Sequence, residues 1–158
     1  MNKIIIKFFL FAFLILTSHC GFKVLDKKAQ SDFSIQEIQI SGDERISYKI
    51  KNNLLANSLK KSTNNIILNI NTKKLKSIKE KNIENEVTKY QISLSVNIQY
   101  SFVERSKNFV SSVSTNGDYL VGSNHLNTIN NEKRLIDKLT ENISNKILDK
   151  IIFNINDN

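Results

Sequence analysis

The chain has 158 residues and a formal net charge of +8, from 23 Lys and Arg against 15 Asp and Glu, with one Cys, no Pro, no Trp and four Gly. That length suits a single domain with one modest core, and a lone Cys excludes both an intramolecular disulfide framework and a Cys-rich zinc site. Twenty of the cations are Lys, and Lys, Ile and Asn share A/T-rich codons, so the charge permits an acidic partner without requiring one.

In chain order, residues 1–19 differ from everything that follows. Lys3 supplies a positive start, and Phe8–Leu16 is an uninterrupted apolar run of nine residues. A membrane-spanning helix needs about 20 such residues, so this run has the dimensions of a secretory signal's apolar region. Thr17-Ser18-His19 and then Cys20 follow. A Cys directly after such a region resembles a bacterial lipoprotein signal, in which the Cys becomes the first residue and carries lipid. Lipidation also removes a thiol that would be a liability in an oxidising compartment, and two or three acyl chains anchor a domain stably. Gly21 stands where Asp would direct retention in the inner membrane, so the resemblance implies the outer membrane. Removing residues 1–19 takes away Lys3 and Lys7 and leaves 139 residues carrying +6.

Residues 20–32 are then the lipidated Cys and a polar tether, and 33–158 a single domain. Phe33-Ser34-Ile35 and Ile38-Gln39-Ile40 alternate with a change of phase at Gln36-Glu37, which predicts one bulged strand. Ser41-Gly42-Asp43-Glu44 fits a capping box with Ser41 as N-cap. Ile46, Ile50, Leu54, Leu55 and Leu59 then predict a helix over about 43–61, with Lys60 and Lys61 at its C-terminal dipole. Ile66, Leu68 and Ile70 predict a strand over 65–78 that runs into a Lys-rich turn. From Tyr90 to Phe102 every second residue is apolar, and Gln91, Ser93, Ser95, Asn97, Gln99 and Ser101 lie between. This is a long strand with one buried face and one wet, uncharged face. Weaker alternation around Phe109, Ser111 and Val113 precedes a turn signal at Asn116-Gly117, with Tyr119 and Val121 resuming the strand. Asn124–Asn131 reads as a polar connection. Leu135, Ile136, Leu139, Ile143, Ile147 and Ile151 predict a closing helix over about 131–152, with Glu132 on its exposed side. The fold class expected is α+β: a two-layer sandwich of about four mainly antiparallel strands with two helices on one face, in the order β-α-β-β-β-α.

Little in the chain suggests covalent chemistry. His125 falls in a polar loop without a Ser or Cys nearby, Glu84 and Glu86 lie in an exposed Lys-rich stretch, and there is no Gly-rich phosphate loop. No enzyme, metal or cofactor is expected beyond the lipid on Cys20. The densest basic feature, Lys73, Lys74, Lys76, Lys79 and Lys81, is a candidate for engaging phosphate or carboxylate groups. An export signal sets nucleic acid aside, leaving lipopolysaccharide or phospholipid head groups, which Lys meets as a point charge. The uncharged strand face Gln91–Ser101 is a candidate partner surface, since burying charge against a protein wall is costly.

The Cys20-Gly21-Phe22 start, the short tether and this element order resemble the lipopolysaccharide-assembly lipoprotein family (LptE, also called RlpB), particularly its alphaproteobacterial type. Arg45 near the first helix start, Leu54 and Leu59, Tyr90 opening the long strand and Asn131-Glu132 before the last helix also agree. Lys23-Val24-Leu25 depart from it, since relatives often carry Pro and Tyr there. The resemblance implies a lipid-anchored outer-membrane protein on the periplasmic face, plugging the LptD β-barrel, supporting its folding and helping deliver lipopolysaccharide to the outer leaflet. The alternative is a free-standing periplasmic lipoprotein that binds phospholipid or scaffolds the envelope. Cys20→Ser should accumulate as unprocessed precursor on a membrane-fraction immunoblot. Normal maturation of that variant would remove the lipoprotein reading.

Overall fold

A computed structural model describes residues 32–104 and 107–156. The signal, Cys20 and the tether up to Ser31 lie outside the described residues. Within them the order is β1 (Ser34–Gly42), α1 (Glu44–Asn57), β2 (Asn65–Lys81), β3 (Val87–Phe102), β4 (Asn108–Leu120) and α2 (His125–Asn156). The expected α+β architecture is present as one four-stranded sheet in the order β1-β2-β3-β4. β1 runs parallel to β2, whereas β2–β3 and β3–β4 are antiparallel. The parallel pair follows from α1, a helical crossover that returns the chain to the same sheet end.

Register decides which residues face the helices. Ile70 pairs with Ile98, Leu68 with Tyr100 and Ile66 with Phe102, and on the other side Tyr100 pairs with Phe109 and Val96 with Val113. These even-numbered residues of β2 and β3, with odd-numbered ones of β4, form a single apolar face. Ile46, Ile50 and Leu54 of α1 and Leu139, Ile143, Ile147 and Ile151 of α2 close over it as one core. Both helices therefore lie on one face, as expected. At one end Tyr100 stacks on Phe109, with ring centroids 5.1 Å apart, and Phe102 meets Phe109 edge-on at 5.7 Å. The phase change in β1 is a register shift between Ile35 and Glu37. It turns Phe33 and Ile35 before the shift, and Ile38 and Ile40 after it, toward the same core.

Several boundaries differ from the sequence expectation. The N-cap of α1 is Asp43, whose side chain accepts from the Ile46 N–H at 3.1 Å. Ser41 is held in β1, where its hydroxyl donates to the Ile70 carbonyl and its own carbonyl accepts from Ser47 Oγ. Gly42 makes the corner between them with φ +83°, and a Cβ there would stand 2.0 Å from the Thr72 carbonyl oxygen. The helix ends at Asn57, so Lys60 and Lys61 lie outside its dipole and Leu59 is exposed. Asn116-Gly117 is no turn: the pair lies inside β4, opposite Ser93 and Ile92. Gly117 is small because α2 crosses there, with Leu135 Cδ1 2.7 Å from where a Cβ would be. α2 begins at His125, six residues early, so Asn124–Asn131 is mostly helix and His125 an exposed helical residue. Asn124 Oδ1 accepts from the Asn127 N–H at this start.

Between the helices the packing is polar and small. Buried Thr140 and Ser144 return their hydroxyls to the carbonyls of Ile136 and Thr140 four residues earlier, and Asn53 Nδ2 donates to Ser144 Oγ at 3.3 Å. Gly42→Ala should lower unfolding free energy by about 2 kcal/mol or more, since it adds left-handed strain to a backbone clash. Gly117→Ala should cost less than about 1 kcal/mol, because only a flexible Leu135 tip must move. Denaturant titration of both variants checks the contrast.

Candidate functional site

Two surfaces gather the residues singled out by the sequence. The first is the sheet face turned away from the helices, which no described residue covers. β3 supplies Gln91, Ser93, Ser95, Asn97, Gln99 and Ser101 to it, all half-buried or exposed. The register extends this face across neighbours that the sequence reading left out. Asn69 pairs with Gln99 and Asn71 with Asn97, while Ser112, Ser114 and Asn116 of β4 pair with Asn97, Ser95 and Ser93. The signal was present, because Asn69 and Asn71 alternate with Leu68 and Ile70. The row of Asn71, Asn97 and Ser112 carries amide and hydroxyl groups only, while exposed Leu75 and Val110 stand in the rows of Ser93 and Gln99. Charge enters at the margin with Glu37, accepting from Gln39 Nε2, and Asp118, accepting from Gln91 Nε2, and in the interior with Lys73, opposite Ser95. Two shallow recesses of about 240 and 290 Å³ share Asn69 and Gln99 on this face.

The second surface concerns the lysines, and here the expected turn is corrected. Lys73, Lys74, Lys76, Lys79 and Lys81 all belong to β2, and the turn lies beyond them at residues 82–86. Asn82 Oδ1 accepts there from the N–H groups of Glu84 and Glu86. Asn85 takes the left-handed conformation at φ 65°, which explains why no Gly is needed. The strand pleat then splits the five lysines. Lys73 joins the open amide face, whereas Lys74 and Lys76, opposite Leu94 and Ile92, point to the helix side. Lys81 donates to Asn85 Oδ1 at 2.7 Å, and Lys79 is exposed on the outer arm. The five do not form one patch.

On the helix side Lys76 enters a compact polar cluster. Its Nζ donates to Glu132 Oε2 at 2.6 Å, and Tyr119 Oη donates to the same oxygen at 2.7 Å. The ammonium also lies 4.5 Å from the Tyr90 ring centroid, and Tyr90 stacks on Tyr119 at 5.6 Å. Glu132, expected on the exposed side of its helix, is instead turned inward. Burial alone would raise its carboxyl pKa, but hydrogen bonds from Lys76 and Tyr119, with the Lys76 and Lys74 charges, hold it below the usual value. Burial likewise works against the Lys76 ammonium, and the Glu132 hydrogen bond overcomes it, so its pKa is raised. Each charge in this cluster is used by another, which suits a structural clasp between β2 and α2. Among the described residues no group of three or more His, Cys, Asp or Glu could hold a metal ion. No helix among them is long and apolar enough to cross a membrane.

No family model matches the chain, and no curated protein matches it. Solved structures do. Rare lipoprotein B from Shewanella oneidensis superposes with a TM-score of 0.59 at 12% identity, covering 77% of this chain and 97% of that one. The fold is that of rare lipoprotein B. A candidate lipoprotein from Caulobacter crescentus CB15 gives a TM-score of 0.57 at 10% identity, over 82% of this chain and 93% of the other. Lipoprotein B from Nitrosomonas europaea, a solution structure, gives 0.52 at 13% identity, over 81% and 88%. At these identities the likeness to rare lipoprotein B is one of architecture.

Acid titration checks the clasp. A carboxyl held below its usual pKa stabilises the fold above the unfolded-state value, 4.5, and loses that contribution as pH falls through the lower folded value. Glu132→Gln should therefore melt below the wild type at pH 7, by no more than about 1 kcal/mol at this exposure. The gap should close as pH falls well below 4.5. A gap that persists unchanged at low pH would show that the carboxylate charge is not what stabilises the contact.

Proposed function

We propose that this chain is a lipid-anchored lipoprotein on the periplasmic face of the outer membrane, attached through Cys20. There it acts as a plug and assembly subunit of an LptD-like lipopolysaccharide export barrel. The observation that carries the reading is the uncovered amide face. A sheet face that stays in water usually mixes Lys, Glu and Thr. This one presents Asn71, Asn97 and Ser112 in one row, and Asn69 and Gln99, beside an exposed Val110, in the next. Packing against a hydrated protein wall exchanges water hydrogen bonds for protein or bridging-water ones, which amides and hydroxyls do at little cost. A charge moved into the same place would need a partner of opposite sign. The likeness to rare lipoprotein B supports the same reading, as does the Cys20-Gly21-Phe22 start.

The role is one of shape and surface, without covalent chemistry. The barrel would use the domain as a folding template and the lipid as cargo moving past it. Lys73, Lys79 and Lys81 remain available on the open face and outer arm to meet lipid phosphates, whereas Lys74 and Lys76 are engaged by Asp43 and Glu132.

The test is co-isolation from solubilised outer membrane. Asn97→Lys combined with Gln99→Lys places two charges at the centre of the open face, at exposed positions, so the melting temperature should hold within a few degrees. Recovery of a barrel partner should fall about tenfold or more, since each unpaired charge at an interface costs on the order of 1–3 kcal/mol. Equal recovery with both variant and wild type, or no barrel with either, would turn the reading toward a free-standing lipoprotein.

A further inference from the structure

The side of the molecule opposite the amide face carries a cleft of about 270 Å³ between the N-terminal halves of α1 and α2, above Lys74 of β2. Its floor is apolar, formed by Ile46, Ile129 and Ile136. Ile46 is fully packed, but Ile129 is 45% exposed, so apolar surface is left facing water inside a recess. Three carboxylates line the same cleft, and each is already neutralised within the fold. Asp43 accepts from the Ile46 N–H and stands 3.6 Å from Lys74 Nζ. Glu132 is taken by Lys76 and Tyr119, and Asp137 is paired with Lys49. Two further cations, Arg45 and Lys133, reach the cleft and form no ion pair among the described residues.

An apolar floor rimmed by two uncommitted cations, with every nearby carboxylate occupied, is complementary to an amphiphile with an acidic head. We infer that this cleft holds the head-proximal stretch of an acyl chain belonging to an anionic lipid, with that stretch on Ile46, Ile129 and Ile136 and the acidic head group between Arg45 and Lys133. The volume of about 270 Å³ lies just below that of an ordinary small-molecule pocket, so it takes the head-proximal part of one chain, not a whole lipid. Arg45 brings a planar fork suited to a phosphate or carboxylate, and Lys133 a mobile point charge. The inference rests on the lipid-contact part of the proposed function and is independent of the barrel. It also moves the lipid contact away from the lysine arm, because in the cleft the apolar residues form a recess beside the two cations.

The experiment uses residues 20–158 with Cys20→Ser, so that no attached lipid competes, and dodecyl phosphate as the probe below its micelle concentration. Saturable binding with methyl NMR shifts confined to Ile46, Ile129 and Ile136 is expected. Arg45→Gln with Lys133→Gln should weaken it about fivefold or more at low salt and much less at high salt. Ile129→Asn, a change at a half-exposed position, should weaken it by a similar factor with the melting temperature retained. Lys73→Gln, Lys79→Gln and Lys81→Gln together should leave it unchanged. The inference is overturned by absence of saturable binding, by equal binding of dodecyl maltoside, or by loss in the lysine-arm variant with the cleft variants unaffected. Displacement of the probe by lipopolysaccharide or by phosphatidylglycerol vesicles supports the assignment and distinguishes the two sources, and displacement by neither overturns it. Barrel recovery in the co-isolation assay separates the two readings: probe binding without a barrel removes the plug role alone, and a barrel without probe binding removes the cleft alone.

Discussion

The pleat of β3 is the constraint on which the rest of the domain depends. From Ile92 to Phe102 each even residue enters the core and each odd one faces away. β3 is central, so its parity is imposed on β2 and β4 through the pairings Ile70–Ile98 and Val96–Val113. A slip of one residue would place Leu94, Val96 and Ile98 on the outer face and Ser95 and Asn97 in the core. One strand therefore fixes the apolar face that both helices must cover and the polar face that no described residue covers. Fold and candidate function are the two sides of a single alternation.

Much of this was legible in the sequence, for the reason that makes β3 dominant. A strict period of two over thirteen residues has few other solutions, and the i, i+4 stripes of Ile46–Leu54 and Leu139–Ile151 specify the two helices. Even the shift in β1 was visible as a change of phase at Gln36-Glu37. The boundaries were less legible because local signals competed. Ser41 and Asp43 both fit an N-cap, and the choice was made by β1, which extends to Gly42 and engages the Ser41 hydroxyl. Asn116-Gly117 carries turn chemistry, yet a passing helix needed a residue without a side chain there. The start of α2 at His125 was hidden because its first turns are polar and leave Leu126 and Ile129 exposed.

The site was legible in part, and the reason is again the pleat. The six polar residues of β3 share one face, since alternate residues of one strand do so by geometry. The lysines were grouped by proximity in sequence, which in a strand distributes neighbours to opposite sides. Continuing the alternation of Ile66, Leu68 and Ile70 through Thr72 would have placed Lys74 and Lys76 under the helices. Their counter-charges, Asp43 and Glu132, lie 31 and 56 residues away in sequence. No local pattern announces such pairings, and they emerge only when α1 and α2 are laid over the sheet.

Every strand pairs with the next in sequence, and the last element is a helix of 32 residues that lies mainly over β4 and β3. For a chain that emerges from the ribosome N-terminus first, this order has a kinetic consequence. β1, α1 and β2 can associate as they appear, and β3 and β4 can be added to the growing edge without long loops to close. The apolar side of β3 and β4 nevertheless stays uncovered until Leu139, Ile143 and Ile147 have emerged. Over that interval the domain is a sheet with a wet outer face, a sticky inner one and a free edge. Its protection from aggregation then depends on how soon the last thirty residues arrive, so a nonsense mutation near the C-terminus would be far more damaging than its small loss of mass suggests.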